Sequence, residues 1–196
     1  MLAALVLLVY LSAGAGIAPA QNAKLRVRVL DYARLPTKTL QEFELPARRI
    51  FRKCGIETEW PTCRVQSRQG ACGPLAETEF FVKIVPRPAP SSHRDRMRFG
   101  TTIRMGTRGL FAYIFWARVE QTALEHGIPP SLLLAHVIAH EAGHLLGLEH
   151  DPAGLMNLQL SGPELFRAAR GSLLFSDAEA AALRDAVGLG AVEIQR

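Results

Sequence analysis

The sequence predicts an α+β fold: a mixed, twisted sheet, one long helix that carries the candidate site, and a further helix near the C-terminus. Three observations predict it. Segments with an apolar residue at every second position alternate with segments of helical spacing. Their order is strand, helix, strands, helix, helix. No internal repeat or low-complexity tract interrupts that order.

Each element has its own justification. Lys24 to Tyr32 sets Leu25, Val27 and Val29 against charged residues and reads as a half-buried strand. From Thr37 to Cys54, Leu40, Phe43, Leu45, Ala47, Ile50 and Phe51 follow helical spacing, and Gly55 ends the segment. Pro46 starts the helix proper near itself, or breaks it there. Ile56 to Trp60 and Glu77 to Pro86 read as the second and third strands. Pro86, Pro88, Pro90, Ser91 and Ser92 mark an exposed loop. The apolar, aromatic run from Gly109 to Val119 reads as the fourth strand, passing into a short helix over 117–127. Pro129-Pro130-Ser131 precedes a long helix over 131–146, stopped by Gly147. Ser176, with Glu179 three residues on, forms a capping box that opens an Ala-rich helix closing near Gly188.

Composition bounds the function. The 196 residues suit one domain, and 48% hydrophobic residues are enough for a substantial core. The net charge is +5, with basic residues clustered from Arg94 to Arg108. No stacking aromatics or nucleic-acid motif accompany them, so they read as a solvated basic face and nucleic acid is not expected as a partner. Attraction to acidic substrates or to envelope surfaces stays open. A monomer is expected.

The first twenty residues carry no charged side chain. An apolar run from Leu2 to Leu11 leads to Ala18-Pro19-Ala20, an A-x-A-like cleavage site, so residues 1–20 read as a signal peptide and 21–196 as a single domain. No Lys or Arg precedes the run, and the alternative is an uncleaved anchor. The run is short for a span of ~20 residues. Either way the domain is expected outside the cytoplasm, secreted or periplasmic, with transient membrane contact only through this segment. Of Cys54, Cys63 and Cys72, two form a disulfide in an exported protein and one is left over. Cys63 with Cys72 is the favoured pair, because it closes a polar, Gly-containing loop.

The chemistry concentrates between His136 and His150, which hold four of the six histidines. Four residues turn a helix by about 400°, so His140 and His144 project from one face, one turn apart. Their nitrogens can meet one zinc at ~2.0–2.1 Å. Glu141, between them in sequence, can reach a water on the metal as general base. Gly147 can take a positive φ and turn the chain sharply, so that His150 returns as third ligand. His136 lies one turn before His140. Three ligands at i, i+4 and i+8 would spread over about 12 Å of helix, too far for one ion, so His136 reads as a core or supporting histidine. His93 and His126 read as surface residues.

His140-Glu141-x-x-His144-x-x-Gly147-x-x-His150 resembles the signature of the metzincin zinc endopeptidases. The resemblance implies a metzincin-like zincin fold and a methionine turn beneath the metal, for which Gly154-Leu155-Met156 stands in the right place. Within the metzincins the chain is similar to the matrixins. Arg108 to Phe115 is similar to their edge strand and Leu174 to Gly188 to their final helix, so residues 109–188 carry the likeness. It implies that an extended substrate pairs with the backbone of Gly109, Leu110, Phe111 and Ala112, and that residues 155–170 help to shape the pocket. One catalytic Zn2+ is expected. The second zinc and the calcium of matrixins are not expected: Tyr113 stands at one position of their histidines, and residues 86–108 offer only His93 and Asp95. Asp151, after the third histidine, is similar to the adamalysins. Asn157-Leu158 after Met156 brings no tyrosine, so the tyrosyl ligand of astacins and serralysins is not expected.

The expected function is a secreted zinc endopeptidase acting on a peptide or protein substrate, with His140, His144 and His150 on the metal and Glu141 as base. Two alternatives remain at this stage. One is a non-catalytic, zinc-stabilised binding module, whose closed site would take Asp151 or His136 as fourth ligand. The other is a zinc hydrolase acting on a non-peptide substrate.

Overall fold

The computed structural model describes residues 23–65, 79–87, 98–105 and 108–193. In chain order the elements are β1 (Ala23–Asp31), α1 (Thr37–Glu42), α2 (Glu44–Lys53), β2 (Ile56–Glu59), β3 (Thr62–Arg64), β4 (Phe80–Val85), β5 (Gly100–Met105), β6 (Arg108–Phe115), α3 (Trp116–Glu125), α4 (Pro130–Leu145), α5 (Gly162–Ala169) and α6 (Asp177–Glu193). The α+β expectation holds.

The sheet is mixed, in the order β2-β1-β4-β6-β5, with β3 also pairing β1. The β1, β2, β3, β4 and β6 pairings are parallel, and only β5 runs antiparallel to its neighbour β6. β2 and β3 follow one another along the same side of β1, with Pro61 between them. Pro61 cannot donate to a ladder, but its carbonyl accepts from Val29 N at 2.9 Å, which keeps the two short strands in line.

Most elements fall where the periodicity places them, and the departures have local causes. The 37–54 segment is two helices. Phe43 ends α1 and precedes α2, so that Pro46 lies in the first turn of α2, where its missing N–H costs nothing. The apolar run after Gly109 stays extended only to Phe115, and the chain turns helical at Trp116. The last helix passes Gly188 and continues to Glu193. β3, β5 and α5 have no counterpart in the sequence-based assignment.

One expectation is corrected by the strand order. Gly109 to Ala112 belong to β6, which is not an edge strand: Phe111 and Ala112 pair with Phe81 and Val82 on one side and with Ile103 and Thr102 on the other. Among the described residues the edge on this side of the sheet is β5, and β2 and β3 form the opposite edge.

The core lies between the sheet and the helices α2 and α4. Helix α4 packs on β6, α2, α3 and β5. Nearly every residue from Leu133 to Leu145 is buried, as expected for a helix that is apolar all round. Phe51 links the two ends of this core, with ring centroids 5.8 Å from Trp60 and 5.5 Å from Phe175. Cys54 is a free, buried thiol, pushed up to about 11 by its burial, and is therefore unreactive. Cys63 is disulfide-bonded; its expected partner, Cys72, lies outside the described residues, as do His93 and Asp95 and residues 1–20.

Candidate metal centre

Helix α4 delivers two of the histidines. Pro130 occupies its first turn, where a proline fits. Gly147 ends it with φ +98°. Gly147 N donates to the His144 carbonyl at 3.1 Å and Leu148 N to the Gly143 carbonyl at 2.9 Å, a Schellman closure that only a left-handed residue at 147 allows without strain. The turn sends His150 back toward His140 and His144. Their ligand atoms lie within 4.8 Å of one another, and no other His, Cys, Asp or Glu joins the group among the described residues.

The protons of two rings are fixed by the main chain. His140 Nδ1 lies 2.8 Å from the Leu155 carbonyl and His144 Nδ1 lies 2.7 Å from the Leu148 carbonyl. A carbonyl can only accept, so each Nδ1 carries the hydrogen and each Nε2 keeps a lone pair. Burial holds both rings neutral, His140 being lowered to about 4 against the opposing pull of the Leu155 carbonyl. Burial also lowers His150. The Nε2 atom of His144 is 3.1 Å from the Nε2 of His140 and 3.1 Å from that of His150. With hydrogens committed to Nδ1, the His140–His144 contact is not a hydrogen bond but two lone pairs aimed at a common point. Tetrahedral zinc with bonds of ~2.0–2.1 Å spaces its nitrogens by about 3.3–3.4 Å, so the donor set fits that ion.

Met156 closes the floor. It is fully buried in the turn that follows Gly154, itself at φ +72°. Its sulfur packs against Gly143, where an added Cβ would lie 2.7 Å from Sδ. The same turn presents the Leu155 carbonyl to His140, so the methionine turn and the first ligand are one unit.

Glu141 is 5% exposed and faces the edge strand. Thr102 Oγ1 donates to its Oε2 at 2.7 Å. Gly100 makes room for the other oxygen: an added Cβ there would meet Oε1 at 2.7 Å and the Tyr113 carbonyl at 2.6 Å. Burial raises the carboxyl to about 7, with the Thr102 hydrogen bond and the charge of Arg98 opposing. A cation on the histidines favours the ionised form.

The other candidates separate cleanly. His136 is 1% exposed, its Nδ1 bonds the Leu132 carbonyl at 2.8 Å, and it stands outside the histidine group. Asp151 accepts from Ala153 N at 2.8 Å and shapes the turn before Met156. His126 caps the end of α3 on the surface. Sequence reasoning missed Thr102, Gly100 and the Leu148 and Leu155 carbonyls. The Ser161–Glu164 capping box that opens α5 was a readable signal for that helix.

The histidines and Glu141 face an open cleft of about 810 Å³. One wall is β5 with Phe99, Gly100, Thr101, Thr102 and Arg104. The other runs from Asn157 to Ser161, within the 155–170 segment expected to shape a pocket.

In structure the chain is similar to archaemetzincin from Methanopyrus kandleri, with TM-score 0.56 and 17% identity over 87% of this chain and 99% of that one. It is also similar to metalloproteinase-II from Bacteroides fragilis, with TM-score 0.51 and 13% identity over 86% of this chain, and it spans 55% of that longer protein. No protein-family model matches the chain, and no curated protein matches it in sequence. These likenesses show the fold, a mixed sheet with helices that matches those of the two proteins.

Proposed function

We propose that the protein is a zinc-dependent endopeptidase of the metzincin kind, working outside the cytoplasm after cleavage before Gln21. One observation carries the reading: three histidine nitrogens converge on a point at the base of an open cleft, and a buried glutamate from the same helix stands beside them. Within the metzincins the sequence of residues 109–188 favours the matrixin kind, with Asp151 as in adamalysins, although β6 is not the edge strand which that likeness implies. A zinc ion held by His140, His144 and His150 supplies a Lewis acid that acidifies water and polarises a carbonyl. With no fourth protein ligand in the group among the described residues, a position is left for water and substrate, which favours chemistry over a closed structural site.

The remaining steps belong to the chain. Glu141 is the general base. Its Oε2 is held by Thr102, and Oε1 takes a proton from the water as its oxygen attacks the scissile carbonyl carbon. The carboxyl then gives that proton to the amide nitrogen, the C–N bond breaks, and the amine leaves. The substrate lies extended along the free edge of β5, adding a strand through main-chain hydrogen bonds. This places the pairing surface one strand outside the Gly109–Ala112 position that the sequence resemblance implies.

The test is cleavage of casein by purified 21–196, beside a chelator-treated sample and Glu141→Ala. Activity is expected in the zinc-loaded protein alone, with zinc still bound in Glu141→Ala. A folded protein with one zinc that cuts nothing in an unbiased peptide pool would refute the endopeptidase reading and favour the binding module or another hydrolase.

A further inference from the structure

The mechanism above uses the histidines, Glu141 and the β5 edge, and leaves the cationic side chains of the cleft without a role. Arg98, Arg104 and Arg118 line it, against the carboxylates of Glu141 and Glu149. Arg104 is committed: it pairs with Glu149 and donates from Nη2 to the Leu148 carbonyl at 2.8 Å. Glu141 is committed to Thr102. That leaves Arg98 and Arg118 without an ion pair or hydrogen bond to a carboxylate among the described residues.

Arg118 is placed at a cost. It sits in the first turn of α3, which holds no acidic residue, and there a cation meets the positive end of the helix dipole. Its guanidinium carbon lies 5.4 Å from the centroid of the Phe99 ring, and its Nε is buried without a hydrogen-bond partner. Stacking of this kind leaves the N–H edge of a guanidinium free for a planar acceptor. Arg98 is exposed beside Phe99, and its charge is felt at both Glu141 and His150. Both arginines therefore flank the Phe99–Gly100 end of the edge strand, next to the reacting centre.

We infer that this end of the cleft is a carboxylate subsite, and that the protein selects peptides carrying Asp or Glu within a few residues of the scissile bond. The inference rests on the peptidase reading of the cleft. A half-buried guanidinium without a partner is unfavourable, and a substrate carboxylate gives it a charge-assisted, two-pronged partner. The +5 charge of the chain draws acidic polypeptides in the same direction.

The test starts from a bond that the zinc-loaded protein cuts in casein. Matched peptides around it carry Glu, Gln or Lys at each position up to three residues away. At one position kcat/KM is expected to favour Glu over Lys by about ten- to hundredfold, the range of one charge-assisted bond. Arg118→Glu is expected to reverse that ratio. Arg98→Glu, on an exposed residue, makes the same test if Arg118→Glu does not fold. Equal rates for Glu and Lys at every position, with casein still cut, overturn the subsite and leave the peptidase reading standing. If nothing is cut, labelled Gly-Ala peptides bearing one Glu or one Lys are titrated against the zinc-loaded protein. Tighter binding of the Glu peptide, reversed by Arg118→Glu, then sustains the subsite while the peptidase reading falls. Equal binding overturns both.

Discussion

Glu79 and Glu141 are both buried carboxylates, and their partners are opposite in kind. Glu79, just ahead of β4, has a fully buried side chain gripped by two cations. Arg28 on β1 donates to both of its oxygens, Nε to Oε2 at 2.7 Å and Nη2 to Oε1 at 2.9 Å, and Arg26 adds a further bond. Glu141 has one neutral hydroxyl on one oxygen, and its other oxygen faces a glycine and the cleft. A carboxylate locked between guanidinium groups stays ionised and immobile, which suits a staple between chain segments far apart in sequence. A carboxylate with one weak partner and a raised pKa can accept a proton and release it.

The largest test of that contrast substitutes both residues. Glu141→Gln is expected to lower kcat/KM by about 10²–10⁴, the usual worth of a general base, with thermal stability unchanged or higher. Glu79→Gln breaks its buried ion pair with Arg28, which costs about 3–5 kcal/mol of stability. Zinc content per folded molecule should stay the same. Melting curves and single-turnover rates of the two variants, side by side, check this. A Glu79 variant that is stable but inactive would break the contrast.

A smaller effect is expected at the floor of the site. Gly143→Ala forces a methyl group toward the Met156 sulfur, 2.7 Å from the ideal Cβ. Overpacking of this order costs about 1–3 kcal/mol. Because Leu155, beside Met156, holds His140 by its carbonyl, the strain should also weaken zinc. Competition with a chelator and a thermal melt read the two effects. A melting loss with unchanged zinc affinity would mean that the methionine turn supports the fold and not the ligand.

The histidines, Glu141, Gly147 and Met156 were legible in the sequence because the chemistry fixes residue types at short, helical and turn spacings. Everything that holds them from a distance was not. The Leu148 and Leu155 carbonyls carry no side-chain signal, since any residue has one. β5 hides in a stretch whose arginines read as a solvated basic face, and as a half-exposed edge strand its alternation is weak. Which strand of the β5–β6 hairpin forms the edge depends on β4 docking against β6, a pairing some thirty residues away in sequence. That is why the sequence places the edge strand one strand too far in. α5 opens on Gly162 and Pro163, residue types that disfavour a helix interior, and it forms because Pro163 occupies the first turn of a helix that Ser161 caps.

Thr102 is where the contrast between the two glutamates can be tuned instead of broken. Thr102→Val keeps the shape of the side chain and removes the one donor on Glu141 Oε2 among the described residues. The hydroxyl lowers the Glu141 pKa against its burial, so its loss must raise that pKa further. A base works only when deprotonated, and activity therefore falls as pH drops through the pKa. The acid limb of kcat/KM against pH should move to higher pH in Thr102→Val, and Thr102→Ser should restore it. At a pH above the limb, the variant should lose only about fivefold, the worth of one hydrogen bond of about 1 kcal/mol, and mainly in kcat. Stability should hardly change, because valine fills the same space. An acid limb that does not move, with the rate still reduced, would mean that Thr102 acts by orienting the carboxylate and not by its effect on the proton. The two contributions separate in this variant because the Thr102 hydroxyl, unlike Arg28 and Arg26 at Glu79, brings no charge to the carboxylate.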